Sequence, residues 1–176
     1  MLLAKVGKGY VGISILSQFE VRWLDSIMKA RDAFPNAYLQ AIKADHILDE
    51  RHVIVSLYNV LMAHELGYAK MKRIDTELLL NLSGTNNFED ALAQLAPFEG
   101  QDAVIVSYSD DENAARGIME FLMKETGAKM QSLKSNADRI RNLMKIYDLK
   151  LAEEFSEQSL LDLLIERSAM FYVRYR

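Results

Sequence analysis

The residues Ala103-Val104-Ile105-Val106 form a short, continuous apolar run. A run of this length that is rich in β-branched residues is typical of a strand buried on both faces of a sheet. Alternation of apolar with small or polar residues predicts a second strand at 10–15, and residues 38–42 predict a third. We therefore expect a sheet with the 103–106 strand at its centre.

Apolar residues at helical spacing account for most of the remaining chain. They predict a helix from Trp23 to Phe34, which Pro35 ends, and a helix over 51–66 that is apolar around a wide arc. Further helices are predicted around 76–82, 91–95, 115–122, 140–147 and 160–168. The segment 170–173 fits either an extension of the last helix or an edge strand.

Helices exceed strands in this pattern, and no repeat or linker rich in Pro, Gly or Ser divides the chain. We predict an α/β (mixed α+β) fold in a single compact domain over residues 1–176. Its sheet is expected to be small and mixed, with about three to four strands, and to be flanked by helices.

The composition excludes several classes of protein. The 176 residues include no Cys and carry a net charge of −4, which excludes disulfides, thiolate metal sites, cysteine nucleophiles and a polycation for nucleic acid. No apolar stretch approaches the ~20 residues that cross a bilayer. The first residues lack the apolar segment of a signal peptide, so we expect a cytoplasmic protein.

Motifs for catalysis are incomplete. Residues 7–12 spell G-x-G-x-x-G, but a strand-like pattern follows where a dinucleotide site needs a helix. His64-Glu65 begins like a zinc-protease motif, yet position 68 is Tyr and the second imidazole is missing. We therefore predict no enzyme activity, no cofactor and no metal site.

One acidic cluster leaves a distant alternative open. Asp110, Asp111 and Glu112 have the oxygen ligands that Mg²⁺ prefers, which would suit a small metal-dependent enzyme. The same residues follow a predicted strand, where acidic side chains favour the start of a helix. We favour the second interpretation.

The segment 70–87 combines cations with a polar turn. Lys70, Lys72 and Arg73 precede a helix that is expected to begin at Asp75 as N-cap. Gly84 ends that helix, and Asn86 with Glu89 has the spacing of a capping box. The turn between the two helices consists of Ser83, Gly84, Thr85, Asn86 and Asn87. Such a turn can hydrogen-bond a single nucleic-acid strand whose phosphates the cations hold, although well-capped helices alone also explain it.

The same residues resemble a known family. Glu77-Leu78-Leu79-Leu80-Asn81-Leu82-Ser83-Gly84-Thr85, followed by Asn86-Asn87-Phe88 and Ala91, is similar to a signature of the TPRKB-like subunit of the KEOPS complex, known as Cgi in yeast and archaea. His52-Val53-Ile54 resembles the start of the family's upstream helix. Ile165-Glu166-Arg167-Ser168-Ala169-Met170 resembles its C-terminal signature. The resemblance covers about residues 38–170.

The resemblance implies a non-catalytic role. KEOPS makes the threonylcarbamoyl modification of adenosine beside the anticodon of tRNA. The TPRKB-like subunit binds the kinase/ATPase subunit and, in archaeal members, the single-stranded 3′ CCA end of tRNA. Carried over by position, Lys70, Lys72 and Arg73 would contact phosphates, and the turn 83–87 would face the CCA end.

One departure from the family pattern matters. The family has Arg-Gln after the glycine where this chain has Asn86-Asn87, which removes a bidentate phosphate contact. A basic stretch over 128–150 offers a secondary RNA patch at Arg139, Arg141 and Lys145. For the kinase partner we predict contacts from Leu57, Leu61, Leu160 and Leu164. The alternative is an allosteric regulator of the kinase subunit that binds protein only and contacts no RNA.

Overall fold

A five-stranded antiparallel sheet lies in the first of two units into which the chain divides. The computed structural model describes residues 1–147 and 156–175. The first unit consists of Met1–Ala44 and Ala96–Leu133, and the second of Asp45–Leu95 and Lys134–Arg176. In the described residues the strands all belong to the first unit, and the second unit is helical.

The described residues form five strands and seven helices of the α type. The strands are β1 (Leu2–Val6), β2 (Gly9–Leu16), β3 (Ala37–Lys43), β4 (Ala103–Ser109) and β5 (Met130–Gln131). The helices are α1 (Trp23–Ala33), α2 (Glu50–Glu65), α3 (Ile74–Ser83), α4 (Phe88–Leu95), α5 (Glu112–Thr126), α6 (Ala137–Ile146) and α7 (Glu157–Arg174). The prediction of an α/β fold with helices exceeding strands is confirmed.

The central strand is β4, as its apolar run predicts. Every residue of β4 is buried, and it pairs with β2 on one side and β3 on the other. The strand order is β1-β2-β4-β3, with β5 also paired to β2. The sheet differs from the expectation in being antiparallel throughout rather than mixed. It also includes β1 and β5, which are too short or too weakly alternating to be recognised from the sequence.

Two helices cover the sheet and complete the apolar core of the first unit. Trp23, Ile27 and Ala30 of α1 and Ile118 and Met119 of α5 are buried in one cluster with residues of β3 and β4. Trp23, Ile27 and Ala30 are three or four residues apart, as are Ile118 and Met119 from the buried Leu122, and this is the spacing that predicted the helices.

β3 stands at the end of the strand order, and side chains bind two of its carbonyl oxygens. Arg31 of α1 donates from Nη2 to the Leu39 oxygen at 2.7 Å and from Nε at 3.2 Å. Gln40 donates from Nε2 to the Ala41 oxygen at 2.9 Å. These bonds satisfy acceptors on a strand that, within the part of the chain described, has one paired neighbour.

The G-x-G-x-x-G sequence forms a β-hairpin. Val6 pairs with Gly9, so Gly7 and Lys8 are the two residues of the turn, and Gly7 has a φ of 61°. A two-residue hairpin turn favours glycine at such a position. The remaining residues of the motif belong to β2 rather than to a helix, so they do not form a dinucleotide-binding turn.

Helix ends in the second unit differ slightly from the predictions. The N-cap of α3 is Arg73 rather than Asp75, and Asn87 rather than Asn86 caps α4 by accepting the N–H of Glu89 at 2.9 Å. Gly84 ends α3 with a φ of 72°, as predicted. The last helix continues to Arg174, which decides against an edge strand at 170–173.

His52 is buried at the start of α2, with 2% of its surface exposed. Burial lowers the pKa of His52 from 6.5 to about 4, against the opposing charge of Asp49. The neutral ring accepts the N–H of Leu48 at Nδ1, 3.5 Å away. The folded protein therefore holds this imidazole uncharged at neutral pH.

We expect His52 to make the free energy of unfolding depend on pH between 6.5 and about 4. In that window the unfolded chain binds a proton that the folded chain excludes, so stability is complete above 6.5 and falls as the pH drops. The loss should approach about 3 kcal/mol. Urea unfolding of the wild type and of His52→Gln at several pH values measures it. A wild-type pH dependence that the variant shares in full would contradict the assignment to His52.

Candidate functional site

The basic loop before α3 is held by a buried carboxylate. Glu77 is fully buried, and its Oε2 accepts the backbone N–H groups of Met71 at 2.7 Å and Lys70 at 3.0 Å. Lys70 and Lys72 are exposed. The buried Glu77 carboxylate thus fixes the backbone of the loop, while the side chains of Lys70 and Lys72 are exposed to solvent.

Arg73, the N-cap of α3, forms an ion pair with a residue of that helix. Its guanidinium donates to both carboxylate oxygens of Asp75, with Nη2–Oδ2 at 2.9 Å and Nε–Oδ1 at 3.0 Å. The Asp75 side chain is 2% exposed, whereas that of Arg73 is 53% exposed. A bidentate pair of this kind leaves Arg73 less able to bind a phosphate than the two neighbouring lysines.

The polar turn after α3 is partly buried. Ser83 is buried, Gly84 and Thr85 are half-buried, and Asn86 and Asn87 are exposed. The Asn87 side chain accepts the N–H groups of Glu89 and Asp90, at 2.9 Å and 3.2 Å. Asn86 therefore presents its amide to solvent, whereas Asn87 orients the first turn of α4.

Residues from the C-terminal helix bind the end of α3. Arg167 donates from Nη2 to the Ser83 carbonyl at 3.1 Å, and the Tyr175 hydroxyl donates to the Gly84 carbonyl at 3.2 Å. Two residues before Ser83 on α3, Asn81 accepts at Oδ1 a hydrogen bond from the Ser168 hydroxyl at 2.5 Å. The polar turn is therefore fixed by α7, across more than eighty residues of sequence.

A cavity of about 190 Å³ opens beside Arg167. Arg167 and Arg174 line it together with Glu166 and apolar residues, and Tyr147 forms one wall. The Cζ atom of Arg167 lies 4.6 Å from the centroid of the Tyr147 ring. Burial raises the pKa of the Tyr147 hydroxyl, against the opposing effect of Arg167. The cavity combines guanidinium groups with an apolar wall, which suits a planar or anionic group.

Comparison with known proteins assigns the family. Residues 22–171 match the family model described as "Kinase binding protein CGI-121". The chain belongs to the CGI-121 family. It is also 35% identical over 51 residues to the "EKC/KEOPS complex subunit CGI121" of Debaryomyces hansenii. That match spans 29% of this chain and 26% of the length of the relative. The resemblance stated from the sequence motifs is thereby confirmed at the level of the family.

The two segments that resemble family signatures meet in this CGI-121 member. They cover Glu77 to Thr85 and 165–170, and the bonds from Arg167 to Ser83 and from Ser168 to Asn81 both join them. Sequence spacing places each signature on a helix, but it does not show that the two helices are neighbours.

The secondary basic patch is smaller than the sequence indicates. Arg139 is 7% exposed and donates from Nη1 to the Lys134 carbonyl, so it is not available to a phosphate in solution. Arg141 is exposed and paired with Asp138 one helical turn away. Lys145 is exposed. Two of the three cations therefore reach solvent.

Three of the four leucines that the sequence predicts to bind the partner are buried. Leu57 and Leu160 are 0% exposed and Leu164 is 2% exposed, and Leu61 is half-buried. Leu160 and Leu164 pack in a core cluster with Leu48, Leu143 and Met144. The apolar arc of each helix is wide because the helix packs against several neighbours, which burial explains without a partner.

Other apolar residues of the same helices reach solvent. Tyr58 and Leu66 are 48% and 56% exposed, and Met170 and Val173 are 37% and 62% exposed. Arg51 donates to Gln158 and Asn59 donates to Ser168, so α2 and α7 lie side by side and run parallel. The sequence predicts a wide apolar arc on each helix but does not show which of its residues reach solvent.

The acidic cluster begins α5. Asp111 caps this helix by accepting the N–H of Asn113 at 2.9 Å, and Glu112 pairs with Arg116 at 3.1 Å. Within residues 1–147 and 156–175, no group of three His, Asp or Glu side chains is placed to hold a metal ion. No helix in that same part of the chain has the length and hydropathy to cross a membrane.

Ser168→Ala should destabilise the helical unit by about 2–3 kcal/mol. The substitution leaves Asn59 and Asn81 without their shared hydroxyl partner, which lies 2.9 Å from Asn59 Nδ2. The free energy of unfolding in urea measures the effect. Ser159→Ala, on the exposed side of the same helix, is the control. Equal stabilities for the two variants would show that this junction contributes little.

Proposed function

We propose that this CGI-121 family member is a non-catalytic subunit of a KEOPS complex. It binds the kinase/ATPase subunit and recruits tRNA through its 3′ CCA end for threonylcarbamoyl modification beside the anticodon. The family description and the name of the Debaryomyces hansenii relative support the complex and the kinase partner. The contact that joins the two signatures, from Arg167 to Ser83, is the observation that carries the proposal for RNA.

The RNA contacts would lie at the two ends of α3, because residues 77–83 of the helix itself are buried. This helix has 10 residues, so it separates the basic loop from the polar turn by about 15 Å. Lys70 and Lys72 supply charge at one end, and the exposed Asn86 lies at the other. A single strand a few nucleotides long can reach both ends, with its phosphates on the lysines and its bases near the turn.

The cavity beside the turn would add a place for a base. Arg167 contacts the turn and also lines the cavity, so the two features are adjacent. Guanidinium planes and aromatic rings stack on bases without regard to sequence, and Tyr147 provides such a ring. Arg174 brings a second positive charge to the same opening.

The kinase partner would dock on the outer face of α2 and α7. Tyr58, Leu66, Met170 and Val173 expose apolar surface on two adjacent helices. Exposed aromatic and aliphatic side chains in a group are typical of the centre of a protein interface. This surface takes the place of Leu57, Leu160 and Leu164, which are buried.

Two observations favour the alternative, an allosteric regulator that binds protein only. Arg73 is paired with Asp75, and Arg139 is buried. Both reduce the positive charge available to RNA relative to the count in the sequence. Binding assays with tRNA that carries or lacks its 3′ CCA separate the two functions, because the regulator should bind neither RNA.

Lys70→Ala with Lys72→Ala should weaken tRNA binding and reduce its dependence on salt. Each lysine that contacts one phosphate of a single strand contributes about 0.7 to the slope of log affinity against log salt concentration, so the slope should fall by about 1.4. A titration of tRNA binding at several salt concentrations measures it. The control is Lys124→Ala with Lys129→Ala, which removes the same charge from exposed positions of the first unit. Equal slopes for the two double variants would reject the basic loop as a phosphate site.

Leu66→Asp with Val173→Asp should weaken binding of the KEOPS kinase subunit by at least about tenfold, because a docked partner would bury two unpaired carboxylates. Isothermal titration with the kinase subunit of the same organism measures it. Leu24→Asp with Met28→Asp, at positions of α1 that are 48% and 54% exposed, is the matched control. Loss of binding in the α1 variant alone would place the docking surface elsewhere.

A further inference from the structure

The guanidinium of Arg167 lies between an aromatic ring and a turn of the backbone. On one side its Cζ atom lies 4.6 Å from the centroid of the Tyr147 ring. On the other side Nη2 donates to the Ser83 carbonyl at 3.1 Å. A planar cation can make both contacts at once, because it stacks through its face and donates through its edge.

Gly84 allows this close approach. A Cβ atom at position 84 would lie 2.6 Å from Arg167 Nη2 and 2.8 Å from Nε, and the φ of 72° disfavours a side chain independently. The Nε–Nη2 edge of the guanidinium is therefore in direct contact with the glycine backbone. The Nε atom is buried there without a hydrogen-bond partner.

These contacts act on the end of α3, where carbonyl groups lack partners within the helix. Arg167 satisfies the Ser83 carbonyl, and Tyr175 satisfies the Gly84 carbonyl at 3.2 Å. Beyond that point the turn is held by its own short side chains. Ser83 Oγ accepts the Thr85 N–H at 3.4 Å, and Thr85 Oγ1 accepts the Asn87 N–H at 3.2 Å. The hydrogen bonds from Arg167 and Tyr175 therefore tie the turn to the rest of the unit.

We propose that Arg167 is the positioning residue of the polar turn: stacked on Tyr147 and bonded to Ser83, it fixes the direction in which Asn86 and the first turn of α4 face a bound RNA strand. The inference rests on the proposed function for its RNA consequence. The positioning itself is a property of the free protein. Lysine cannot make both contacts here, because an ammonium group has no plane to place against the ring while it bonds the carbonyl.

The test compares Arg167→Lys with the wild type by two measurements. Hydrogen exchange of the backbone N–H groups of Thr85 and Asn87 reports on the turn in the free, full-length chain. The ratio of affinities for tRNA with and without its 3′ CCA reports on recognition. We expect exchange at both amides to accelerate at least tenfold and the affinity ratio to fall at least fivefold. Urea unfolding should show that the variant remains folded.

Two further variants keep the result interpretable. Tyr147→Leu removes the ring beneath the guanidinium and should accelerate exchange at the same amides, so it decides the matter if Arg167→Lys does not fold. Arg116→Lys makes the same replacement on α5, in the first unit, and should leave both measurements unchanged.

Unchanged exchange in Arg167→Lys and Tyr147→Leu would overturn the positioning role whatever the RNA result. Accelerated exchange with an unchanged affinity ratio would overturn its role in recognition. A wild type that binds both tRNAs equally would refute the proposed function, and the exchange measurement alone would then decide whether Arg167 positions the turn.

Discussion

The hydrogen bond from Arg167 to the Ser83 carbonyl ties the last helix to the end of α3. It joins two helices that are far apart in sequence, and the junction of Asn59, Asn81 and Ser168 adds a second connection beside it. A buried polar contact such as that between Ser168 and Asn81 is unfavourable unless both partners are present, so it favours one register of the helices. Apolar packing around Leu160 and Leu164 then supplies stability without having to supply specificity.

Both ends of α3 follow the same structural logic. At the start, the buried Glu77 carboxylate binds two backbone N–H groups and fixes the basic loop. At the end, the Arg167 guanidinium binds a carbonyl and fixes the polar turn. In each case a side chain from within the unit hydrogen-bonds backbone groups. The residues of the segment that face solvent are the ones that can contact a ligand. A charge that serves the fold in this way is easily mistaken for one that serves binding.

The sequence therefore predicts the elements of this protein better than its surfaces. The apolar run of β4 and the helical periodicity of α2 and α7 report on burial, and burial decides whether such elements form. Surface chemistry depends on pairing in three dimensions. Arg139 and Arg141 are the same type of residue and lie two positions apart. Arg139 is nevertheless buried against the Lys134 carbonyl, whereas Arg141 is exposed. Leu57 and Tyr58 of α2 differ in the same way, because one side of the helix faces the core and the other faces solvent.

The side-chain bonds to β3 carry a consequence for how molecules of this protein can associate. The carbonyl oxygens of Leu39 and Ala41 already accept hydrogen bonds from the side chains of Arg31 and Gln40. They are therefore poor acceptors for the backbone N–H groups of another chain. Lengthening of the sheet by a foreign strand, which is the usual first step towards fibrous aggregates, is thereby disfavoured at this border. Contacts at this border are then made by side chains, which can be selective, rather than by added strand pairing.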